Sequence, residues 1–164
     1  MKWSCVLLSI FLVSTANASY DADGVPLGAS EKAVLKRFPT ARCKPLEWQS
    51  KAADRRCDDA KAVFGGMESR ITFYLRKDAV EAFDVRFDAK FAQRMASLLT
   101  NRYGKPVSEE RGKAERPEWS QRELVKLLWQ SKAERALMVA ASDKRRGSLV
   151  VSRGGFEEEI YRVR

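Results

Sequence analysis

Two runs of alternating apolar and polar residues constrain the fold of this chain more than any other feature. Residues 70–76 and 82–87 each place an apolar side chain at every second position. A period of two residues is typical of antiparallel strands that turn one face towards a core. The two runs are therefore predicted to form a β-hairpin whose apolar side chains lie on the same side of a sheet.

The alternation also predicts the register of this hairpin. Residues that lie opposite each other must share a face, so we expect Phe73 to pair with Phe83 and Ile71 with Val85. This register leaves a loop of three residues, 77–79, with a loop of five residues as the alternative.

Two segments are predicted to be helices. Ser30 is a suitable N-cap for a helix over residues 31–38, which Pro39 ends. Asp88 is expected to begin a second helix, which ends at Gly104. The apolar residues of this second helix repeat at helical spacing: Phe91, Met95, Leu98, Leu99 and Tyr103. We interpret that face as part of the core rather than as a cofactor surface.

Shorter apolar runs predict the remaining strands. We expect a strand over residues 59–64, and we interpret residues 124–131 as a strand because two apolar runs follow at hairpin spacing. Residues 107–123 are expected to form a long loop, residues 144–147 a solvated turn, and residues 156–164 a last strand or a tail. This order predicts an α+β fold, in which an antiparallel sheet has two helices packed on one face, with a weak internal repeat of a helix followed by strands.

The N-terminus has the features of a signal peptide for export. One lysine precedes an apolar stretch of about a dozen residues, shorter than the roughly 20 that a membrane span needs. Ala16 and Ala18 follow, so we expect cleavage after Ala18. We predict a signal peptide over residues 1–18 and a single α+β domain over residues 19–164, periplasmic or secreted and not membrane-spanning. An uncleaved N-terminal anchor is the alternative.

Cys43 and Cys57 are the two cysteines outside the predicted signal peptide. In an oxidising compartment, paired cysteines close to a disulfide. Their spacing is not that of a CxxC redox pair, and zinc would need two more ligands from a chain that has no histidine. We therefore predict a structural disulfide and no metal site.

The absence of histidine from all 164 residues excludes several kinds of catalysis. Neither a Ser-His-Asp triad nor a Cys-His dyad can form. A pair of carboxylates could still act as in glycosidases, but residues 58–59 and 157–159 are adjacent acids, which we expect on solvated surfaces. We predict a non-catalytic protein without a cofactor.

The balance of charge predicts an anionic partner. The chain has 31 lysines and arginines against 22 acids, a net charge of +9, and the excess is spread along the sequence. For an exported protein this favours an envelope protein, or an anionic lipid such as lipopolysaccharide, over nucleic acid. The alternative is that the charge serves solubility only.

The polar side of the predicted hairpin is the candidate binding surface. An antiparallel sheet can leave one face uncovered, and arginine and tyrosine are enriched at protein interfaces. The candidate binding residues are Arg70, Tyr74, Arg76 and Arg86. They share their side of the sheet with Thr72 and Asp84, and the alternative is a solvated face with cross-strand pairs such as Thr72–Asp84.

Three short segments carry a resemblance to known envelope proteins. Leu27-Gly28-Ala29-Ser30 leads into the first helix, Thr72-Phe73-Tyr74 lies in the hairpin, and Tyr103-Gly104-Lys105-Pro106 closes the second helix. In these segments and in the order of its elements the chain resembles the SmpA/OmlA (BamE) envelope domain and the beta-lactamase inhibitor protein. The resemblance implies a non-catalytic envelope module, with inhibition of an envelope-targeting enzyme as an alternative. Unlike BamE-type lipoproteins, the chain has no cysteine after its apolar N-terminal stretch that could carry the lipid.

Overall fold

The computed structural model describes residues 20–115, 121–141 and 144–160. The predicted signal peptide therefore lies outside the described residues. The elements in chain order are β1 (Asp21–Ala22), β2 (Val25–Pro26), α1 (Glu31–Arg37), β3 (Arg42–Pro45), β4 (Arg55–Phe64), β5 (Met67–Arg76), β6 (Ala79–Asp88), α2 (Ala92–Tyr103), β7 (Ser108–Glu115), β8 (Gln121–Gln130), β9 (Glu134–Ala141), β10 (Arg146–Arg153) and α3 (Phe156–Glu159). Within these ranges no helix combines the length and the apolar character that a membrane crossing requires.

The fold is mostly antiparallel sheet with few helices. Strands β3 to β10 form one sheet with the order β3-β4-β5-β6-β10-β9-β8-β7. Each half of the sheet is a run of four consecutive strands, and the halves meet where β6 pairs antiparallel with β10. The short strands β1 and β2 pair with each other in a separate hairpin.

The register of the central hairpin confirms the prediction from the sequence. Phe73 lies opposite Phe83 and Ile71 opposite Val85. The predicted loop was wrong: Arg76 pairs with Ala79, so only Lys77 and Asp78 form the turn, and the register shifts after Tyr74. Lys77 and Asp78 have φ angles of 49° and 62°. Two successive positive φ angles give the turn that fits the right-handed twist of the paired strands.

The two predicted helices are present with their predicted caps. The Ser30 hydroxyl accepts a hydrogen bond from the Ala33 amide at 3.3 Å and begins α1. The Asp88 carboxylate accepts from the Lys90 amide at 3.0 Å, although it caps a short 3-10 turn that precedes α2. Gly104 ends α2 with a φ of 84°.

One large core holds the sheet and helices together. Its cluster of buried side chains includes Val34 of α1, Met95 and Leu99 of α2, and the inward residues of the sheet. Phe73 is completely buried in it, and its ring centroid is 5.3 Å from that of Phe38 and 5.9 Å from that of Phe83. Side chains of this size, buried completely, dominate the hydrophobic stabilisation of a domain.

Two predictions for the second half of the chain were wrong. The polar segment expected to be a loop contributes β7 and the start of β8, with residues 116–120 outside the described residues. β7 is an edge strand, and its residues 108–112 are exposed. An edge strand needs no alternating apolar face, so its polar sequence gave no strand signal. The predicted last strand or tail begins instead as the short helix α3. The strand predicted over residues 124–131 is confirmed by β8.

The predicted disulfide is present and joins two neighbouring strands. Cys43 of β3 and Cys57 of β4 lie directly opposite each other. The loop between them reaches the C-terminal part of the described chain, because Trp48 Nε1 donates to the Ile160 carbonyl at 2.7 Å and Ser50 Oγ to the Glu159 carbonyl at 3.0 Å. The disulfide therefore closes a loop that also anchors α3.

Candidate binding face

One side of the sheet faces away from the large core. Along β5, β6 and β10, buried residues alternate with residues that are partly or fully exposed. Because neighbouring strands are in register, the outward residues of adjacent strands lie side by side. We define the open face by these residues: Arg70, Thr72, Asp84, Arg86, Ser148, Val150, Leu137, Val139, Lys126 and Leu128.

One end of this side of the sheet is covered by a second, smaller cluster. Tyr74 packs there against Phe156 of α3, with ring centroids 5.4 Å apart, and Ala82 belongs to the same cluster. Tyr74 therefore helps to anchor α3, and Arg76 lines a separate groove beyond it. The structure thus divides the four predicted binding residues: Tyr74 and Arg76 lie at the covered end, and Arg70 and Arg86 lie together on the open face.

An apolar stripe crosses the open face, and the sequence analysis missed it. Val150 lies opposite Leu137, which lies opposite Leu128, and Val139 is the next outward residue of β9. We call these four residues the apolar stripe; each of them is only partly buried. The sequence carried a signal for the stripe, because β8, β9 and β10 have apolar residues at successive positions rather than at every second one.

Polar side chains fill the middle of the open face. Thr72 lies opposite Asp84, as the predicted pair required, but its hydroxyl donates to Asp58 Oδ1 at 2.8 Å. Asp58 also pairs with Arg56 at 3.0 Å. Asp84 pairs with Arg86 at 3.2 Å, and its Oδ1 atom has no hydrogen-bond partner. Burial raises the pKa of Asp84, an effect that the charge and hydrogen bond of Arg86 offset only in part.

Replacing Asp84 by Asn should stabilise the domain at neutral pH. Because the folded-state pKa of Asp84 is raised, the folded chain binds this proton more tightly than the unfolded chain, and stability falls as the pH rises through that pKa. We expect Asp84→Asn to gain about 1 kcal/mol at pH 7, since it removes a charge that is partly buried and has only one of its two oxygens paired. Thermal unfolding followed from pH 7 into the acidic range checks this.

The gain from Asp84→Asn should shrink as the pH falls through the raised folded-state pKa of Asp84, because the wild-type carboxyl then takes up its proton. Asp58→Asn is the matched control, because Asp58 has both a cation and a hydroxyl as partners. We expect no gain from the control. A destabilised Asp84→Asn variant at neutral pH would show that the charge of Asp84 supports the fold through Arg86.

Cations gather at the end of the open face opposite the covered end. Arg70 lies directly opposite Arg86, and Arg146 begins β10 on the same side of the sheet. Lys144 and Arg145 form the turn before it, where the sequence predicted a solvated turn. We call these five residues the basic end. They line two adjoining grooves of about 600 and 520 Å³, which share Arg86, Arg145 and Arg146.

The remaining clusters of chemically active groups have structural partners. In the described ranges the one group with metal-ligand geometry is Glu31, Cys43 and Cys57, and both sulfur atoms belong to the disulfide. Glu31 pairs with Arg55 at 2.7 Å.

The prediction that Asp59 is solvated was wrong. Its side chain is buried, with 3% of the residue exposed, and it accepts a hydrogen bond from Thr40 Oγ1 at 2.6 Å. Strand alternation turns it away from the open face.

Searches of protein-family models, curated proteins and solved structures gave no match to this chain.

Proposed function

We propose that this protein is an exported, non-catalytic binding module of the bacterial cell envelope that binds a protein partner through its open face. The observation that carries the proposal is the composition of that face. The apolar stripe crosses it, and Arg70 and Arg86 lie at its edge. Protein interfaces have this arrangement, with apolar side chains at the centre and polar or arginine side chains around them.

Two further features support an exported binding module. The Cys43–Cys57 disulfide is consistent with an oxidising compartment. The chain also has no histidine, the side chain used most often as a general acid or base.

The arrangement of helices around the sheet supports a finer proposal about the fold. We propose that α1 and α2 pack on the same side of the sheet and that each begins a repeat of one helix and four strands. Val34 of α1 and Met95 of α2 belong to one core cluster, and the last strands of the two halves pair with each other. This layout supports the resemblance to the SmpA/OmlA (BamE) domain and the beta-lactamase inhibitor protein, and it would leave the open face for a partner.

A charge placed in the apolar stripe tests the proposed function. We expect Leu137→Glu to lose the partner that the wild-type domain captures from native envelope extracts, because binding would have to bury the new carboxylate without a partner. Leu35→Glu is the matched control, since Leu35 is an exposed leucine of α1, 38% accessible. Affinity capture with quantitative mass spectrometry, alongside thermal unfolding of each variant, measures the result. Equal recovery with both variants would exclude the apolar stripe as the binding surface.

Anionic lipid is the second candidate ligand, and the basic end favours it. Five cations in neighbouring positions would attract a negatively charged headgroup region. Such binding weakens steeply as the ionic strength rises.

A further inference from the structure

We infer that the basic end binds an acidic segment of the partner protein, in which two or more carboxylates lie next to an apolar side chain. This inference rests on the proposed function and names the chemistry of its partner.

The cations of the basic end have few carboxylates of their own. Asp84 pairs with Arg86 at 3.2 Å, and the nearby Asp88 pairs with Lys90 at 3.3 Å. Throughout the described residues, no carboxylate lies within 4.0 Å of a charged nitrogen of the other four cations of the basic end: Arg70, Lys144, Arg145 and Arg146. Among the described residues, these four cations therefore have no ion pair that a ligand would have to displace.

The pairing of Arg70 with Arg86 indicates which kind of ligand stabilises this end. Like charges that lie directly opposite each other on neighbouring strands destabilise a sheet. An anion between the two guanidinium groups would relieve this repulsion. A guanidinium group also presents a planar set of N–H donors that matches the two oxygens of a carboxylate.

The shape of the site favours a projecting segment over a flat surface. The larger groove is concave and measures about 600 Å³. Five cations line it, Lys61, Arg70, Arg86, Arg145 and Arg146, against two acids, Glu68 and Asp88, so the positive charges are in excess. This volume lies within the range of pockets that enclose a small ligand. Acidic side chains that project from a polypeptide can enter it, whereas a flat bilayer surface would contact only its rim.

The basic end continues into the apolar stripe, which places an apolar residue beside the acids. Arg86 lies opposite Ser148, and Ser148 lies opposite Val139. A segment that binds Arg70 and Arg86 with its carboxylates therefore contacts Val139 of β9, which lies two strands away from β6 in the sheet. Charge and apolar contact together define the partner segment.

A labelled peptide with the sequence Glu-Glu-Asp-Glu-Gly-Leu-Phe is the probe that tests this inference. We expect fluorescence anisotropy to detect its binding to the domain, with an affinity that falls as NaCl is added. A peptide with Gln and Asn in place of the acids should bind about tenfold more weakly or not at all.

Charge-neutralising variants locate the site. We expect Arg70→Gln/Arg146→Gln to weaken binding of the acidic peptide about tenfold. Lys32→Gln/Lys36→Gln is the control, because it removes the same net charge from two exposed positions of α1. Equal losses for the two double variants, or binding of the Gln/Asn peptide as tight as that of the acidic one, would overturn the inference.

Vesicles of phosphatidylcholine, with and without phosphatidylglycerol, separate the protein partner from a membrane. Binding to the anionic vesicles alone, abolished by Arg70→Gln/Arg146→Gln, would overturn the inference of an acidic segment in favour of anionic lipid.

The variants also separate this inference from the proposed function. If the native partner is lost with Leu137→Glu but kept with Arg70→Gln/Arg146→Gln, the open face binds a partner and the basic end does not. Retention of the partner by both would contradict the proposed function itself.

Discussion

Loss of the Cys43–Cys57 disulfide should destabilise the folded domain by about 3 kcal/mol. The bond closes a loop of about 15 residues, and opening it returns conformational freedom to the unfolded chain. For a domain of this size we expect Cys43→Ser/Cys57→Ser to lower the melting temperature by on the order of 10 °C.

The loss should also have a local effect on the covered end of the sheet. The disulfide-closed loop holds the end of α3 through Trp48 and Ser50. Without the bond we expect faster hydrogen exchange in residues 156–160, because their anchoring contacts then depend on an open loop. Exchange in the central strand β5 should change much less.

Calorimetry with and without a reductant measures the global effect. The wild-type domain should lose stability when reduced, whereas Cys43→Ser/Cys57→Ser should be insensitive to the reductant. A thiol assay on the unfolded, unreduced wild type should find the two cysteines blocked. A wild-type protein whose melting temperature does not change on reduction would contradict the structural role of this disulfide.

Removal of the Asp23 carboxylate should have the second large effect, about 2 kcal/mol of lost stability. The side chain of Asp23 is only 7% exposed. It accepts a hydrogen bond from the Gly65 amide at 2.9 Å and pairs with Arg102 of α2 and with Arg37 of α1. One carboxylate thus joins the β1–β2 hairpin to α1, to α2 and to the β4–β5 turn. Asp23→Ala removes the acceptor of the Gly65 amide and the ion pairs with both arginines, although Arg37 Nε still donates to the Asp23 backbone carbonyl at 2.8 Å.

Asp23→Asn separates the hydrogen bond from the charge. Asn keeps an oxygen for the Gly65 amide, and it tolerates the positive φ of 49° at this position. We therefore expect it to lose less stability than Asp23→Ala when both are unfolded in urea. Equal losses would show that the ion pairs with the two arginines, which are 31% and 50% exposed, account for the whole effect.

Local periodicity explains which parts of the fold were predictable. The alternation around Phe73 and Phe83 predicted the correct pairing, because a shift of one residue in the register of β5 and β6 would turn the apolar side chains of one strand outward. Helix α1 was predictable from its cap, Ser30, and α2 from Asp88, which caps the 3-10 turn before it. The edge strand β7 was not, because its charged and polar sequence has no apolar period to detect.

The candidate site was predictable only in part, because it depends on how distant strands pair. Arg70 and Arg86 were assigned correctly to one side of one hairpin. Their neighbours Arg146 and Val150 come from β10, whose position beside β6 no local pattern specifies. Tyr74 was expected to be available for binding, and its contact with Phe156 depends on a helix that the sequence analysis did not predict.

The affinity of the captured partner for two matched variants tests the role of the open face most directly. Titration calorimetry with the purified partner should show binding to the wild-type domain and to Leu35→Glu with similar affinity. We expect Leu137→Glu, folded to the same extent, to bind at least about a hundredfold more weakly, because a buried, unpaired carboxylate costs several kcal/mol. Undiminished affinity of Leu137→Glu would contradict the role of the open face in binding the partner.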